Sequence, residues 1–364
     1  SPVSLALALA MTASGARCAT QAGILRSLCA EKLGGAGPFG KQLQSLSAAL
    51  ASSDPGVAFH MANAMWSTQL SKGFVKLCRQ TFNAEARVEE PRAERVNSWC
   101  DKCTQGAITK LLPPGMPLDP KGAVLTNALF FKGCWQETFD ESATRDATFR
   151  GAGGASPCKM MAAASSDKKF LYRETDIYQA AVLPYGKGDN YSALVVLPRA
   201  GGEATLKGMG GPGGKPLPGA AAKPRAASLE EVLAAMPKEW SSLSVSTGMV
   251  PTKGSLSLPR FRAEFGAGLT ELLASRGMEA AFSDGADFGD MTDTPGIRVS
   301  AVVHKTFVEV DEAGTKAAAA TAVVLSRGLD LSPSFSMVCD RPFLFFVRHD
   351  ATKAVLFAGA VRAI

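Results

Sequence analysis

Several groups of residues in this 364-residue chain have types and spacings that could support chemistry. Cys100-Asp101-Lys102-Cys103 is a lone C-x-x-C. A zinc site needs further ligands, and His60, His304 and His349, the chain's three histidines, have no ligand spacing. The pair therefore reads as two small hydrophobes in or beside a helix. Gly208-Met209-Gly210-Gly211-Pro212-Gly213 formally satisfies G-x-G-x-x-G. That motif binds a dinucleotide where it opens a helix after a strand, whereas here Lys215-Pro216 and Pro218 follow. No G-x-S-x-G occurs, and three histidines leave little from which to build a Ser/His/Asp set. The chain is not expected to be an enzyme, and no cofactor is expected.

The remaining candidate is the segment 308–329, VEVDEAGTKAAAATAVVLSRGL. Asp311 and Glu312 lead into Gly314 and Thr315, then the small residues Ala317, Ala318, Ala319, Ala320 and Thr321. An alanine run favours helix on propensity. The context is β-rich on both sides, with Thr306, Phe307, Val308 and Val310 before it and Val323, Val324 and Leu325 after. As a strand, Thr315, Ala317, Ala319 and Thr321 share one face, and Lys316, Ala318 and Ala320 the other. Glycine reaches backbone angles closed to other residues, which suits Gly314 to a hinge.

The elements that must position such a segment follow from periodicity. Residues 4–17, ending near Gly15, and residues 21–33 read as helices. A short β-like stretch surrounds Met65-Trp66. Val96, Trp99 and Cys103, spaced 3 and 4 apart, predict an amphipathic helix over 93–112. Residues 123–136 read as a buried strand, and 178–198 as two strands joined by a turn at Gly186–Asp189. Residues 200–227, rich in Gly, Pro, Ala and Lys, read as a flexible insertion.

Composition bounds the function. A hydrophobic share of 46% allows a sizeable core, and length alone permits two domains, although no strong linker divides the chain. The net charge of +6 comes from scattered basic residues, so neither a nucleic-acid nor a polyanion site is expected. Eight dispersed cysteines do not suggest a disulfide framework, and free thiols favour a reducing, cytoplasmic setting. The apolar stretch Val3–Met11 is too short to span a bilayer, and no membrane association is expected. Asn190-Tyr191-Ser192 is a formal glycosylation site, relevant only to a secreted chain.

Ordered along the chain are segments that carry a family likeness. Met337-Val338-Cys339-Asp340-Arg341-Pro342-Phe343-Leu344-Phe345-Phe346-Val347 resembles the serpin signature, and 308–329 resembles the hinge and reactive-centre loop of an inhibitory serpin. Ser1-Pro2-Val3-Ser4, Asn97-Ser98-Trp99, Asn127-Ala128-Leu129-Phe130-Phe131-Lys132-Gly133, Leu183-Pro184-Tyr185, Leu258-Pro259-Arg260-Phe261 and His304-Lys305 follow in family order. The resemblance begins partway into the family pattern. The first helix lies before Ser1, as would any targeting peptide, so an extracellular location stays open. It implies an α+β fold over 1–364 as a single domain, with three β-sheets, about eight to nine helices and an exposed loop within 311–335.

The resemblance also implies a mechanism. A target protease attacks the bait bond, and the freed loop inserts as a strand, trapping the acyl-enzyme. Arg327-Gly328 is the favoured bond, resembling the Arg-Gly-Leu ending of plant-type members. Counting from Glu312 in the commonest register gives Gly328 as the scissile residue, a loop one residue shorter gives Arg327, and Leu325 is a further choice. An Arg bait suits a trypsin-like serine protease, and an Arg-specific cysteine protease also passes through an acyl-enzyme. A binding or chaperone-like member is the alternative. The hinge is Glu312, Gly314, Thr315, Ala317, Ala318, Ala319, Ala320 and Thr321, with Ala313 standing where a charged or long residue is usual. Ser1, Ser4, Asn127 and His304 match the polar cluster governing strand opening, the shutter. Trp135 matches the tryptophan at the insertion point, the breach. A monomer is expected.

Overall fold

The computed structural model describes residues 1–51, 54–188, 190–201, 206–207, 225–241, 248–315 and 334–364. Most of residues 200–227, and the segment from Lys316 to Pro333 with Arg327 and Gly328, therefore lie outside the described residues. The chain divides into two compact units. One is Ser1–Ser53, Ala58–Phe131 and Glu264–Val308, and the other is Asp54–Val57, Lys132–Ala263 and Glu309–Ile364.

In the first unit, helix Pro2–Ala13 starts with Ser1 accepting a hydrogen bond from the Ser4 amide and Pro2 in the first turn. Leu7 to Ala13 are all buried, which is why this helix carries no charged residue. It ends at Ser14, and Gly15 lies so close to Phe74 and Met291 that a Cβ would meet them at 2.8 and 2.9 Å. Cys18–Ser27 forms the second helix and Ala36–Ala49 the third. Lys72–Phe82 buries Phe74, Cys78 and Phe82 at four-residue spacing.

The amphipathic helix predicted over 93–112 spans only Ala93–Cys103. Gln105 and Gly106 turn left-handed, with φ of 53° and 82°. Asn97 Oδ1 accepts the Leu111 and Leu112 amides, both at 2.8 Å, and so folds the following residues back along the helix. Trp99 and Cys100 are buried in the core with Trp66, Val124 and Phe307.

A six-stranded sheet has the order Phe261–Gly268, Val299–Val310, Ala123–Cys134, Val57–Trp66, Glu85–Arg87, and Gly314–Thr315 also pairs with Ala123–Cys134. Val299–Val310 and Ala123–Cys134 are parallel, with His304 opposite Asn127 and Phe307 opposite Phe130. Buried apolar runs of this kind are what parallel strands require.

In the second unit a nine-stranded network includes Ala354–Val361, Phe343–His349, Tyr191–Pro198, Tyr178–Tyr185, Gly154–Glu174 and Val250–Pro259. Helix Leu229–Ser241 packs Leu229, Val232 and Met236 on Tyr178, Val196 and Phe346. The described strands thus form two hydrogen-bonded networks where the resemblance implies three sheets. The physical reason is the 21-residue strand Gly154–Glu174, which pairs with Arg145–Gly151 at one end and Tyr178–Tyr185 at the other and joins two sheets into one. The described residues contain six helices of ten residues or more and a kinked seventh over Thr270–Phe282, whose Gly277 has φ of 100°. No described helix is long and apolar enough to cross a membrane.

All eight cysteines are free, with Cys78, Cys100, Cys158 and Cys339 buried. Burial pushes the Cys100 thiol up to about 12, so it sits as a neutral core group.

Candidate functional site: a strand-pairing centre and a loop hinge

The first unit brings Ser1, Ser4, Asn127 and His304 together. Their positions come from the start of helix Pro2–Ala13 and from facing points on two parallel strands. Asn127 and Ser4 are fully buried, and His304 is 3% exposed. Asn127 Nδ2 donates to Ser4 Oγ and to Asn63 Oδ1, and Asn127 Oδ1 faces His304 Nδ1. With both donors of the amide used, the ring nitrogen must be the donor to Oδ1. That sets the tautomer, so Nε2 is the acceptor, with the Ser1 nitrogen 2.9 Å from it. Burial holds the His304 imidazole well below its ordinary value, which keeps it neutral at physiological pH. The group has no substrate-facing proton to move; it is a hydrogen-bond partner across a strand pair.

Asn63 is the member that sequence reasoning missed. It is 5% exposed, in the strand Val57–Trp66. The available signal was a lone amide in the run Ala62-Asn63-Ala64-Met65-Trp66, because a buried amide needs a partner.

The second unit holds Glu312, Gly314 and Thr315, the first residues of the expected hinge. Asp311 and Gly314 close a tight turn, Asp311 N donating to Gly314 O at 2.8 Å, and Asp311 Oδ1 accepts the Ala313 and Gly314 amides at 3.0 and 3.1 Å. Gly314 and Thr315 then pair antiparallel with Cys134 and Gly133. Gly314 has φ of +135°, and a Cβ there would lie 2.2 Å from Gly133 O and 2.6 Å from Trp135 N. Both its conformation and its space exclude a side chain.

Trp135 grips this turn. Its backbone amide donates to Ala313 O and its indole Nε1 to Asp311 O, each at 2.9 Å. Its ring stacks on Tyr185 with centroids 4.3 Å apart. Glu312 is 4% exposed. Its carboxylate receives Arg260 Nε at 2.8 and 2.7 Å and the Thr144 hydroxyl. Burial alone would raise the Glu312 carboxyl, but the Arg260 and Thr144 hydrogen bonds outweigh it and hold the group below its ordinary value. Arg260 and Tyr185 lie within segments that carry the family likeness, yet their roles were unread, and Thr144 gave no signal at all. Ala313 contributes only its backbone carbonyl, so its unusual identity alters none of these bonds. Of the remaining hinge residues, Ala317, Ala318, Ala319, Ala320 and Thr321 lie outside the described residues, as do Arg327 and Gly328.

Comparison with known proteins bears on the same frame. The family model "Serpin (serine protease inhibitor)" matches residues 1–211 and 217–364. The chain belongs to the serpin family. Serpin-ZXA of rice is 36% identical over 383 residues, covering 99% of this chain and 88% of the relative. Wheat Serpin-Z1A is 34% identical with the same coverage. Among solved structures, Arabidopsis AtSerpin1 in its native stressed conformation superimposes with a TM-score of 0.79 at 27% identity, over 100% of this chain and 90% of that one. The thermophilic serpin tengpin gives a TM-score of 0.81 at 25% identity. The serpin fold, the plant-type likeness and the family's protease-inhibitor character are thereby shown.

Proposed function

We propose that this serpin is a suicide substrate for an Arg-specific protease, with Arg327-Gly328 as the bait bond. The protease's serine or cysteine attacks the Arg327 carbonyl, the peptide bond breaks, and the amine of Gly328 leaves with the proton. Arg327 stays bound as an ester or thioester. The loop from Gly314 then enters the six-stranded sheet beside Ala123–Cys134. Thirteen steps at about 3.3 Å carry the bait roughly 40 Å, and displacement of about 1 Å already costs a catalytic centre two orders of magnitude.

The observation that carries this reading is the Gly314–Thr315 pairing with Cys134 and Gly133. A strand continuing from it antiparallel to Ala123–Cys134 meets the place held by Val299–Val310, paired as far as Ala123 and Val299. Insertion therefore requires parting His304 from Asn127, which assigns the buried cluster the role of a closure that must open. Trp135 and Glu312 anchor the point from which insertion starts. The plant-type likeness and the native stressed description of the Arabidopsis neighbour accord with a strained resting state. The chain acts in this reading as one domain and as a monomer.

Trypsin mixed with the full chain is the direct test, read on a denaturing gel. A band at the summed mass is expected, with a released peptide beginning at Gly328 by mass spectrometry. A peptide beginning at Leu329 or Ser326 would move the bond, and cleavage with trypsin still active would remove the inhibitory reading for trypsin-like serine proteases.

A further inference from the structure

One row of the second unit's strand network carries lysine on strand after strand. Lys169 stands opposite Lys253 where Gly154–Glu174 meets Val250–Pro259. Lys253 stands opposite Ser334, the first residue of the strand Ser334–Val338, and Ser334 stands opposite Lys207 of Leu206–Lys207. Residues directly opposite on neighbouring strands share a face. Here it is the outer face. Phe170 and Thr252, the next pair along, are buried. Phe335 is buried too, packed so closely that a Cβ on Gly254 would meet its ring at 2.3 Å. Lys169 is exposed and Lys253 half-buried. The row spans three inter-strand spacings, about 14 Å.

Like charges directly opposite each other cost a sheet stability. Val250–Pro259, Ser334–Val338 and Leu206–Lys207 contain no Asp or Glu. Two carboxylates nearby in sequence are held by other cations, Asp146 by Lys159 at 2.8 Å and Asp340 by Arg150 at 2.7 Å. The neighbouring row adds the Ser255 and Ser336 hydroxyls, 3.4 Å apart, and Val338 beyond them is 40% exposed. Lysines edged by hydroxyls and one apolar side chain on an open face resemble the polar rim of a protein interface. The place of the row says which protein. Seven steps separate Arg327 from Ser334, a reach of about 23 Å at most. A standard interface covers about 800 Å² on each partner, a patch about 30 Å across. A protease closed on Arg327 therefore covers or borders this row.

We propose that Lys169 and Lys253 form a secondary docking site for the target protease, selecting one with an acidic surface beside its substrate cleft. The inference rests on the bait-bond reading above. Opposite charges across an interface raise the rate of encounter more than the final affinity. A covalent trap is decided by encounter, so the row governs which Arg-specific protease is caught first.

Anionic and cationic trypsins are the probes, because they share the Arg pocket and differ in surface charge. At about 0.01 M salt the second-order rate of complex formation should be at least about tenfold higher for the anionic enzyme. The gap should close at about 1 M, where the Debye length has fallen from about 30 to about 3 Å. Lys169→Glu combined with Lys253→Glu should abolish the preference, and the paired Gln substitutions should leave about a third of it. Lys72→Glu combined with Lys76→Glu, at exposed positions of a helix in the first unit, changes the net charge equally and should alter the preference less than about twofold. A preference that survives 1 M salt, or is as large in the Lys169/Lys253 variants as in the unaltered chain, overturns the docking site. Binding of both trypsins with their catalytic serine replaced by alanine reads docking without trapping. If no covalent complex forms, yet the inactive anionic enzyme binds the unaltered chain at least about tenfold tighter than the double Glu variant, the docking site stands and the inhibitory reading falls. A complex that forms at rates indifferent to the substitutions leaves the inhibitory reading standing and removes the docking site. Neither complex nor binding removes both.

Discussion

The strand-pairing centre and the hinge anchorage hold strands in place by opposite means. In the centre, Ser4, Asn63, Asn127 and His304 are neutral, buried and joined by side-chain bonds. At the hinge, the main contacts are backbone ones, Trp135 N to Ala313 O and Phe139 N to Glu312 O, supplemented by the charged pair of Glu312 with a half-exposed Arg260. A buried side-chain network fails as a unit, because removing one member orphans the others in low dielectric. Backbone anchorage tolerates side-chain changes, except where the backbone itself allows only glycine. A device that must stay shut and then open cooperatively is suited to the first; a fixed starting point for a moving strand is suited to the second.

The largest effect should come from the exception. Gly314→Val forces a Cβ into Gly133 O at a φ of +135° and is expected to cost at least about 3 kcal/mol of local pairing. Trypsin should then cleave the chain without forming a stable complex; a complex as abundant as that of the unaltered chain would contradict the anchorage. Asn127→Ala follows, with an expected loss of about 2–4 kcal/mol in urea unfolding and a rise in self-association on mild heating, seen by size exclusion. Unfolding at an unchanged midpoint would mean the centre is not a unit.

Acid should separate the two regions. Burial holds the folded His304 imidazole well below its ordinary 6.5, so the unfolded chain binds more protons in the interval below 6.5. The stability from the buried neutral ring is complete above about pH 6.5 and falls as pH drops, by at most ~1.4 kcal/mol per unit. Glu312, also held below its ordinary 4.5, loses its contribution only at lower pH. Between about 6.5 and 4.5 the slope of thermal stability should therefore diminish in His304→Gln and persist in Glu312→Gln. Equal slopes in both variants would count against this assignment. At neutral pH, Glu312→Gln should cost about 1 kcal/mol, discounted for the exposure of Arg260. The smallest effect is expected for Trp135→Phe. It keeps a ring to stack on Tyr185 and loses one hydrogen bond, for about 1 kcal/mol or less by urea unfolding; a loss several times larger would make the indole bond central to the anchorage.

Sequence by itself determined the local features. Apolar runs announced the strands 123–134 and 191–198, and the turn between 185 and 191 was legible from its glycines. Gly314 was legible as a position of backbone freedom, and its φ of +135° uses it, because such freedom belongs to a single residue. The helix over 93–112 was overextended because periodicity does not register a side chain such as Asn97 capturing amides fourteen and fifteen positions away. Only tertiary structure decided who meets whom. His304 and Asn127 are 177 positions apart, Asn127 and Asn63 64, and Arg260 and Glu312 52. The parallel register of Val299–Val310 with Ala123–Cys134 sets His304 beside Asn127, and register is a property of the whole sheet, set by which faces are buried and which strands are neighbours. Composition and spacing are local quantities, so they located each strand while leaving Asn63 unread.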